Sequence, residues 1–216
     1  MALALAREGA RVVVCGRRHK PLAGVVEEIT GAGGSGLAIQ ADVSQEGDVE
    51  RLVQATLEAF GTVDILISNA GFAGASPIHE HSVALWDEMM AVHLRAAFLL
   101  ARAVLPLMRT RRRGDIVLTS SEAGLDYYVG YSAYGVAQHA LNALGEFIQR
   151  ENQDHGIRVM SVCPGMVATD ATKDMPGLRL DKCLTPEDIA DLVLWLLTWR
   201  RSVKIGRPVV LHTLES

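Results

Sequence analysis

Short apolar runs alternate along this chain with longer stretches whose apolar positions recur every three or four residues. The runs are RVVVCG (11–16), GLAIQADV (36–43), VDILISNAG (63–71), GDIVLTSS (114–121), IRVMSVCPG (157–165) and RPVVLH (207–212). Each is rich in Val, Ile or Leu and is bounded by Gly, Pro or polar residues, the pattern of a strand buried on both faces. The intervening segments 19–32, 45–60, 83–110, 132–153 and 186–199 carry helical spacing. The last opens on TPEDIADLV, where Thr185 can cap the helix, Pro186 suits its first position, and acids follow in the first turn. Strands alternating with helices predict an α/β fold, a parallel sheet with helices on both faces. Residues 1–216 contain no repeat, linker or low-complexity tract, so a single domain with one large core is expected. The glycine cluster GAGGSG (31–36) ends a helix and leads into a strand, and reads as a turn.

Charge and cysteine content narrow the function classes. A net charge of −4 provides no basic field to recruit nucleic acid or anionic lipid. The one basic run, RTRRRG (109–114), falls at a predicted helix C-terminus, where cations are favoured, and reads as a solvated helix end. Cys15, Cys163 and Cys183 are odd in number and widely spaced, which gives neither a full disulfide framework nor a zinc pattern. Cys15 and Cys163 lie in apolar runs and are expected to be buried and inert. The HEH triplet at 79–81 has no distant ligand partner, so no metal is expected. Trp195 and Trp199, one helical turn apart, read as packing or interface residues. With no signal peptide and no 18-residue apolar span discerned, a cytoplasmic setting is expected.

In folds of this kind ligands bind beyond the carboxyl ends of the strands. Those ends here read CGRR, ADV, SNAG, TSS and CPGMVATD, and every one carries Gly, a hydroxyl, Asn or a charge. Taken in order, ADVS (41–44), NAG (69–71), IVLTSS (116–121), Tyr134 thirteen residues after Ser121, and PGMVAT (164–169) resemble the short-chain dehydrogenase/reductase family. The tail LTPEDIADLVLWLLTWRRSVKI is similar to members of it, so the resemblance covers essentially the whole chain. It implies a doubly wound, Rossmann-like sheet and hydride transfer between a nicotinamide ring and the carbonyl or alcohol of a small molecule. By that resemblance Tyr134 exchanges a proton with the reacting oxygen and Ser121 hydrogen-bonds it. Asp42 and Val43 would meet the adenine, Asn69, Ala70 and Gly71 would line the cofactor, and Pro164, Gly165 and Thr169 would sit at the nicotinamide end. Segment 170–185 would be the substrate lid, and helices 83–110 and 132–153 would pair in a homo-oligomer. Arginine at the end of such a fold's second strand accommodates a 2′-phosphate, where an acid would bind a 2′-hydroxyl. Arg17 and Arg18 therefore point to NADP(H) over NAD(H), with exposed loop charges as the alternative.

Three positions depart from the family pattern. The family places a first strand and a Gly-rich turn directly before a helix like ALALAREGA, whereas here Met1 opens that helix. The sheet is then expected to lack a central strand. Either its two neighbours close up, or another chain fills the gap, or the protein starts upstream, the last being the leading expectation. The second departure is Gln138, which stands four residues after Tyr134 where the family has lysine. An isolated phenol ionises near pH 10 and a nearby cation lowers that value, so glutamine withholds the activating charge. The third is His93, in place of an asparagine that organises a water relay. It reads either as a water-holding residue or as a histidine satisfied within a packed helix. Three functional readings follow: a slow NADP-linked oxidoreductase, a non-catalytic relative (a pseudoenzyme) that binds or scaffolds, and a truncated gene product.

Overall fold

The computed structural model describes residues 1–170, 172, 178–206 and 208–213. Its elements follow in the order α1 (Ala2–Arg7), β1 (Arg11–Gly16), α2 (His19–Gly31), β2 (Ser35–Gln40), α3 (Glu46–Phe60), β3 (Ile65–Ser68) and α4 (Val83–Met89). A π-helical turn (Met90–Arg95) joins α4 to α5 (Ala96–Arg111). Then come β4 (Gly114–Thr119), α6 (Ser132–Asn152), β5 (Ile157–Pro164), α7 (Pro186–Thr198) and β6 (Val209–Leu211). Every ladder is parallel, and the fold is α/β, as the alternating pattern predicts, and Rossmann-like, as the family resemblance implies. Each apolar run contains a strand, but β2 stops at Gln40 and β3 at Ser68. Asp42, Val43 and residues 69–71 are thereby left on loops beyond the carboxyl ends. The glycine cluster forms the α2–β2 turn, and Thr185 closes a reciprocal capping box with Asp188 at the start of α7.

The strands form two sheets rather than one. β1 pairs with β2, and β3, β4, β5 and β6 pair in that order. Closure of the two sheets by direct pairing is thus not what the chain does: β1 and β3 each keep an edge with no strand neighbour among the described residues. Helices bridge the halves instead. α3 packs on both β1 and α5, and α5 packs on β3. Val49 and Leu52 of α3 share one buried cluster with Leu66, Ala97 and Ile116. The Arg95 guanidinium donates to the Ser44 carbonyl, and Arg102 pairs with Glu46 across the same seam.

Apolar surface lies along the open edges. α1, of sequence ALALAR, packs on β1 and α7 yet has no buried residue. Cys15, expected inside, is exposed. Cys163, on the fully buried β5, meets the expectation. Amides at strand edges without partners open locally at little cost, whereas those of central strands require global unfolding. Edge-facing amides of β1 are therefore expected to exchange with deuterium at least about a hundredfold faster than those of β5. Equal protection in a hydrogen-exchange experiment would contradict the split.

Residues 83–111 form a stretch long and apolar enough, by length and composition, to cross a membrane. That corrects the expectation that no such span exists. Its packing is that of a core element: Ala96, Ala97, Leu99, Leu100, Val104 and Met108 of α5 are buried. The basic run ends α5 as predicted, with Arg111 paired to Asp64 at 3.0 Å and Arg112 donating to the Asp154 carbonyl.

Candidate functional site

Ser121 and Tyr134 belong to neighbouring elements, a short turn after β4 and helix α6, that pack together at a glycine. After β4, Ser121 caps a short 3-10 turn (Glu122–Gly124), its Oγ accepting from the Ala123 amide at 3.2 Å. That turn docks on α6. A Cβ at Gly124 would lie 2.7 Å from Asn142 Nδ2 and 2.9 Å from the Gln138 backbone carbon, so no larger residue allows the approach. Asn142 holds it there by donating to the Gly124 carbonyl at 3.0 Å. Ser121 thus opens a turn that packs on α6, the helix that carries Tyr134 and, one turn on, Gln138.

His93 enters the same cluster from the π-helical turn, a departure from α geometry that often marks functional positions. Its ring is buried and meets Tyr134 edge-on, with centroids 5.2 Å apart. Nε2 lies 2.7 Å from the Phe72 carbonyl oxygen, and Nδ1 lies 3.4 Å from Gln138 Nε2. Burial pushes the His93 pKa below its ordinary value, opposed by the hydrogen bond to Phe72. The imidazole is therefore neutral at pH 7 and supplies no cation to the phenol. Gly71 makes the contact with its loop possible: a Cβ there would come within 2.5 Å of His93 Cε1. Gln138 is 2% exposed, and its Oε1 is buried without a hydrogen-bond partner among the described residues.

The other sequence-predicted residues lie at or beyond the strand ends. Asn69, Ala70 and Gly71 are exposed just beyond β3. Pro164 ends β5, and the Gly165 amide donates to the Leu211 carbonyl at 2.8 Å. Thr169 is tied to Thr172, whose Oγ1 accepts from the Thr169 amide at 2.9 Å. On the far side, Asp42 Oδ1 accepts from the amide and hydroxyl of Ser44, which fixes the carboxylate, while Val43 packs into the core. Arg17 and Arg18 are exposed after β1, and Arg17 lies 3.8 Å from Glu88. Of the expected lid 170–185, residues 171 and 173–177 lie outside the described residues, as does Arg207 at the start of the last predicted strand.

Several neighbours carry no signal at the sequence level. Glu122 accepts from the Tyr128 hydroxyl at 2.6 Å and pairs with His212 Nδ1 at 2.9 Å, next to Gly165. The hydrogen bond to Glu122 pushes the Tyr128 pKa up to about 12, so Tyr128 stays a phenol and does not compete with Tyr134 as an acid–base group. His139 turns away from Tyr134, as helix geometry requires, bonding the Gly135 carbonyl and stacking on Tyr127 at 5.1 Å. Only Asn142, eight residues after Tyr134 on the same helix face, was in principle legible from spacing. Among the described residues no group of His, Cys, Asp and Glu could hold a metal ion.

Parallel strands alternating with helices, with polar residues at the strands' carboxyl ends, define a Rossmann-like α/β fold. The chain belongs to the short chain dehydrogenase family, whose pattern matches residues 1–177. It is 39% identical over 175 residues to a 2-(R)-hydroxypropyl-CoM dehydrogenase of Xanthobacter autotrophicus, covering 74% of this chain and 70% of that one. An alcohol dehydrogenase from the archaeon Thermococcus sibiricus, complexed with 5-hydroxy-NADP, superposes with a TM-score of 0.90 at 27% identity, covering 99% of this chain and 90% of that one. A metagenomic short-chain oxidoreductase in complex with NADP does so with a TM-score of 0.86 at 33% identity, with the same coverage.

Proposed function

We propose that this protein is an NADP(H)-dependent oxidoreductase that moves hydride between the cofactor and a small carbonyl or alcohol, slowly, because its tyrosine lacks a cationic partner. The observation that carries this reading is the packing of the turn capped by Ser121 on α6, the helix that carries Tyr134, through the Gly124 contact. The residues present fit a dinucleotide at its nicotinamide end, where the buried Oε1 of Gln138 is left without a donor. Pro164, Gly165 and Thr169 would hold the ring end, Asn69, Ala70 and Gly71 the middle, and Asp42 and Val43 the adenine. When bound, the cofactor supplies or accepts the hydride.

The chain's own residues handle the proton and the orientation. Ser121 donates a hydrogen bond to the substrate oxygen and fixes it near the phenol. Tyr134 gives that oxygen a proton during reduction and takes it back during oxidation. A phenol without a neighbouring cation is a poor base at neutral pH, and inefficient general acid–base machinery typically forgoes about 10²–10⁴ in rate. Incubation with NADPH and a panel of aldehydes and ketones tests the reading: NADPH loss should match alcohol formed, mole for mole. Binding without turnover on any carbonyl would favour the non-catalytic alternative.

Arg17 and Arg18 favour NADP(H). A guanidinium makes charge-assisted, forked contacts with a phosphate, and the Arg17 side chain is exposed with the Glu88 carboxylate no nearer than 3.8 Å. Arg17→Ala is expected to weaken NADPH binding about tenfold or more and to leave NADH unchanged. Equal affinity of the native protein for the two coenzymes removes this preference. A homo-oligomer formed through α5 and α6 fits the exposed Phe98, Phe147 and Val136 and the apolar groove lined by Met90, Leu94 and Leu144. A single cytoplasmic domain is the setting this reading assumes.

A further inference from the structure

We propose that Glu122 and His212 form a recognition point for a second hydroxyl group of the substrate, so that the compounds turned over best are hydroxy-carbonyl compounds and the matching diols. The oxidoreductase reading above supplies the reaction; the orientation of the imidazole stands without it.

The pair occupies the ligand-binding end of the sheet. β4, β5 and β6 lie side by side in that order and run parallel, so their carboxyl ends share one rim. Glu122 follows Ser121 just beyond β4, and His212 is the first residue beyond β6. Contact between them must cross the end of β5. It does so over Gly165, where a Cβ would lie 3.1 Å from Glu122 Oε2 and 3.2 Å from His212 Nδ1. Ligands of parallel α/β sheets sit outside that end. Neither side chain is sealed there: 24% of Glu122 and 44% of His212 remain exposed.

The hydrogens can be placed. Glu122 Oε1 accepts from the Tyr128 hydroxyl at 2.6 Å, and the raised pKa of Tyr128 keeps that hydrogen on the phenol. Oε2 stands 2.9 Å from His212 Nδ1. A carboxylate only accepts, so Nδ1 carries a hydrogen and donates it. In the neutral ring Nε2 is then bare, and among the described residues it has no hydrogen-bond partner. The imidazole is thus an oriented acceptor on the rim that Ser121 also occupies. A hydroxyl satisfies a bare Nε2, whereas a hydrocarbon chain leaves it unpaired and a carboxylate brings no hydrogen. Sites built to bond a substrate hydroxyl reject the analogue that lacks it. A half-exposed acceptor discriminates less than a buried one, by about tenfold.

Spectra and kinetics test this together. In long-range proton–nitrogen spectra of the histidine-labelled protein, assigned by the signal lost in His212→Phe, the neutral His212 ring should carry its hydrogen on Nδ1. The kinetic probes are hydroxyacetone against its isostere butanone, and 4-hydroxy-2-butanone against 2-pentanone, each with NADPH. The better hydroxyketone should exceed its isostere at least about tenfold in kcat/KM, chiefly through KM, and with NADP+ present it should shift the His212 Nε2 signal. That preference should be lost in His212→Phe and in Glu122→Leu, and fall no further in the double variant. A hydrogen on Nε2 of the neutral ring, equal use within both pairs, a preference that survives His212→Phe, or pyruvate favoured over both hydroxyketones would overturn the proposal. No turnover of any of these ketones instead defeats the oxidoreductase reading. The Nε2 signal then decides the recognition point alone, and its failure to move with either hydroxyketone overturns it.

Discussion

Asp115→Ala is expected to lower the folding free energy by about 3–5 kcal/mol, the usual consequence of removing one partner from a buried ion pair. Asp115 of β4 lies directly opposite Arg158 of β5 in the parallel register. Its Oδ1 accepts from Arg158 Nε at 2.6 Å, with both side chains about nine-tenths buried. Its Oδ2 accepts from Arg201 at 2.7 Å. Arg158 also donates to the Trp199 and Leu197 carbonyls, and Arg201 to the Gly114 and Gly156 carbonyls, so one carboxylate ties the end of α7 to the central strands. Its removal leaves a buried guanidinium uncompensated. Urea denaturation of native and variant protein measures the loss. Arg201→Ala, at a side chain about one-third exposed, should cost clearly less. A loss below about 1 kcal/mol for Asp115→Ala would mean that water or relaxation satisfies Arg158, against the network described here.

Gln138→Lys is expected to raise NADPH-dependent carbonyl reduction at least tenfold and to move the alkaline limb of alcohol oxidation toward neutral pH. The sign follows from the phenol. Oxidation needs the phenolate, a nearby cation favours the phenolate, and the rate then rises at a lower pH. The structure permits the exchange because His93 Nδ1 faces the end of the Gln138 side chain at 3.4 Å, where the unprotonated nitrogen of a neutral ring would accept from an ammonium. The readout is kcat and kcat/KM across pH for both forms. An unchanged pH profile would show that charge at position 138 does not reach Tyr134.

Much of the architecture was legible because buried parallel strands leave a strong compositional trace. Runs such as IRVMSVCPG became β5, buried along its entire length, and TPEDIADLV became a capped α7. The positions of Asp42, Asn69 and Gly165 at strand ends followed from the same alternation. What the pattern did not carry was irregular or distant. MAVHLR reads like any amphipathic helix, since a π turn differs from an α turn by one residue, so the re-aiming of His93 left no mark in periodicity. The Phe72 carbonyl that anchors His93 is backbone and has no side-chain signature. The pairings Glu122–His212 and Asp115–Arg201 join residues more than eighty positions apart, beyond any local rule. Cys15 was misjudged because an apolar run alone does not tell which of its side chains the fold covers.

Whether the Tyr134 hydroxyl serves hydride transfer between a nicotinamide coenzyme and a carbonyl is decided by following an isotope. Native protein given NADPH deuterated at the reactive position of its ring, together with a ketone, should place the label on the carbinol carbon of the alcohol. Tyr134→Phe should do so at least about a hundredfold more slowly while binding NADPH as tightly. Absence of label from the alcohol, or an equal rate in Tyr134→Phe, would contradict the account.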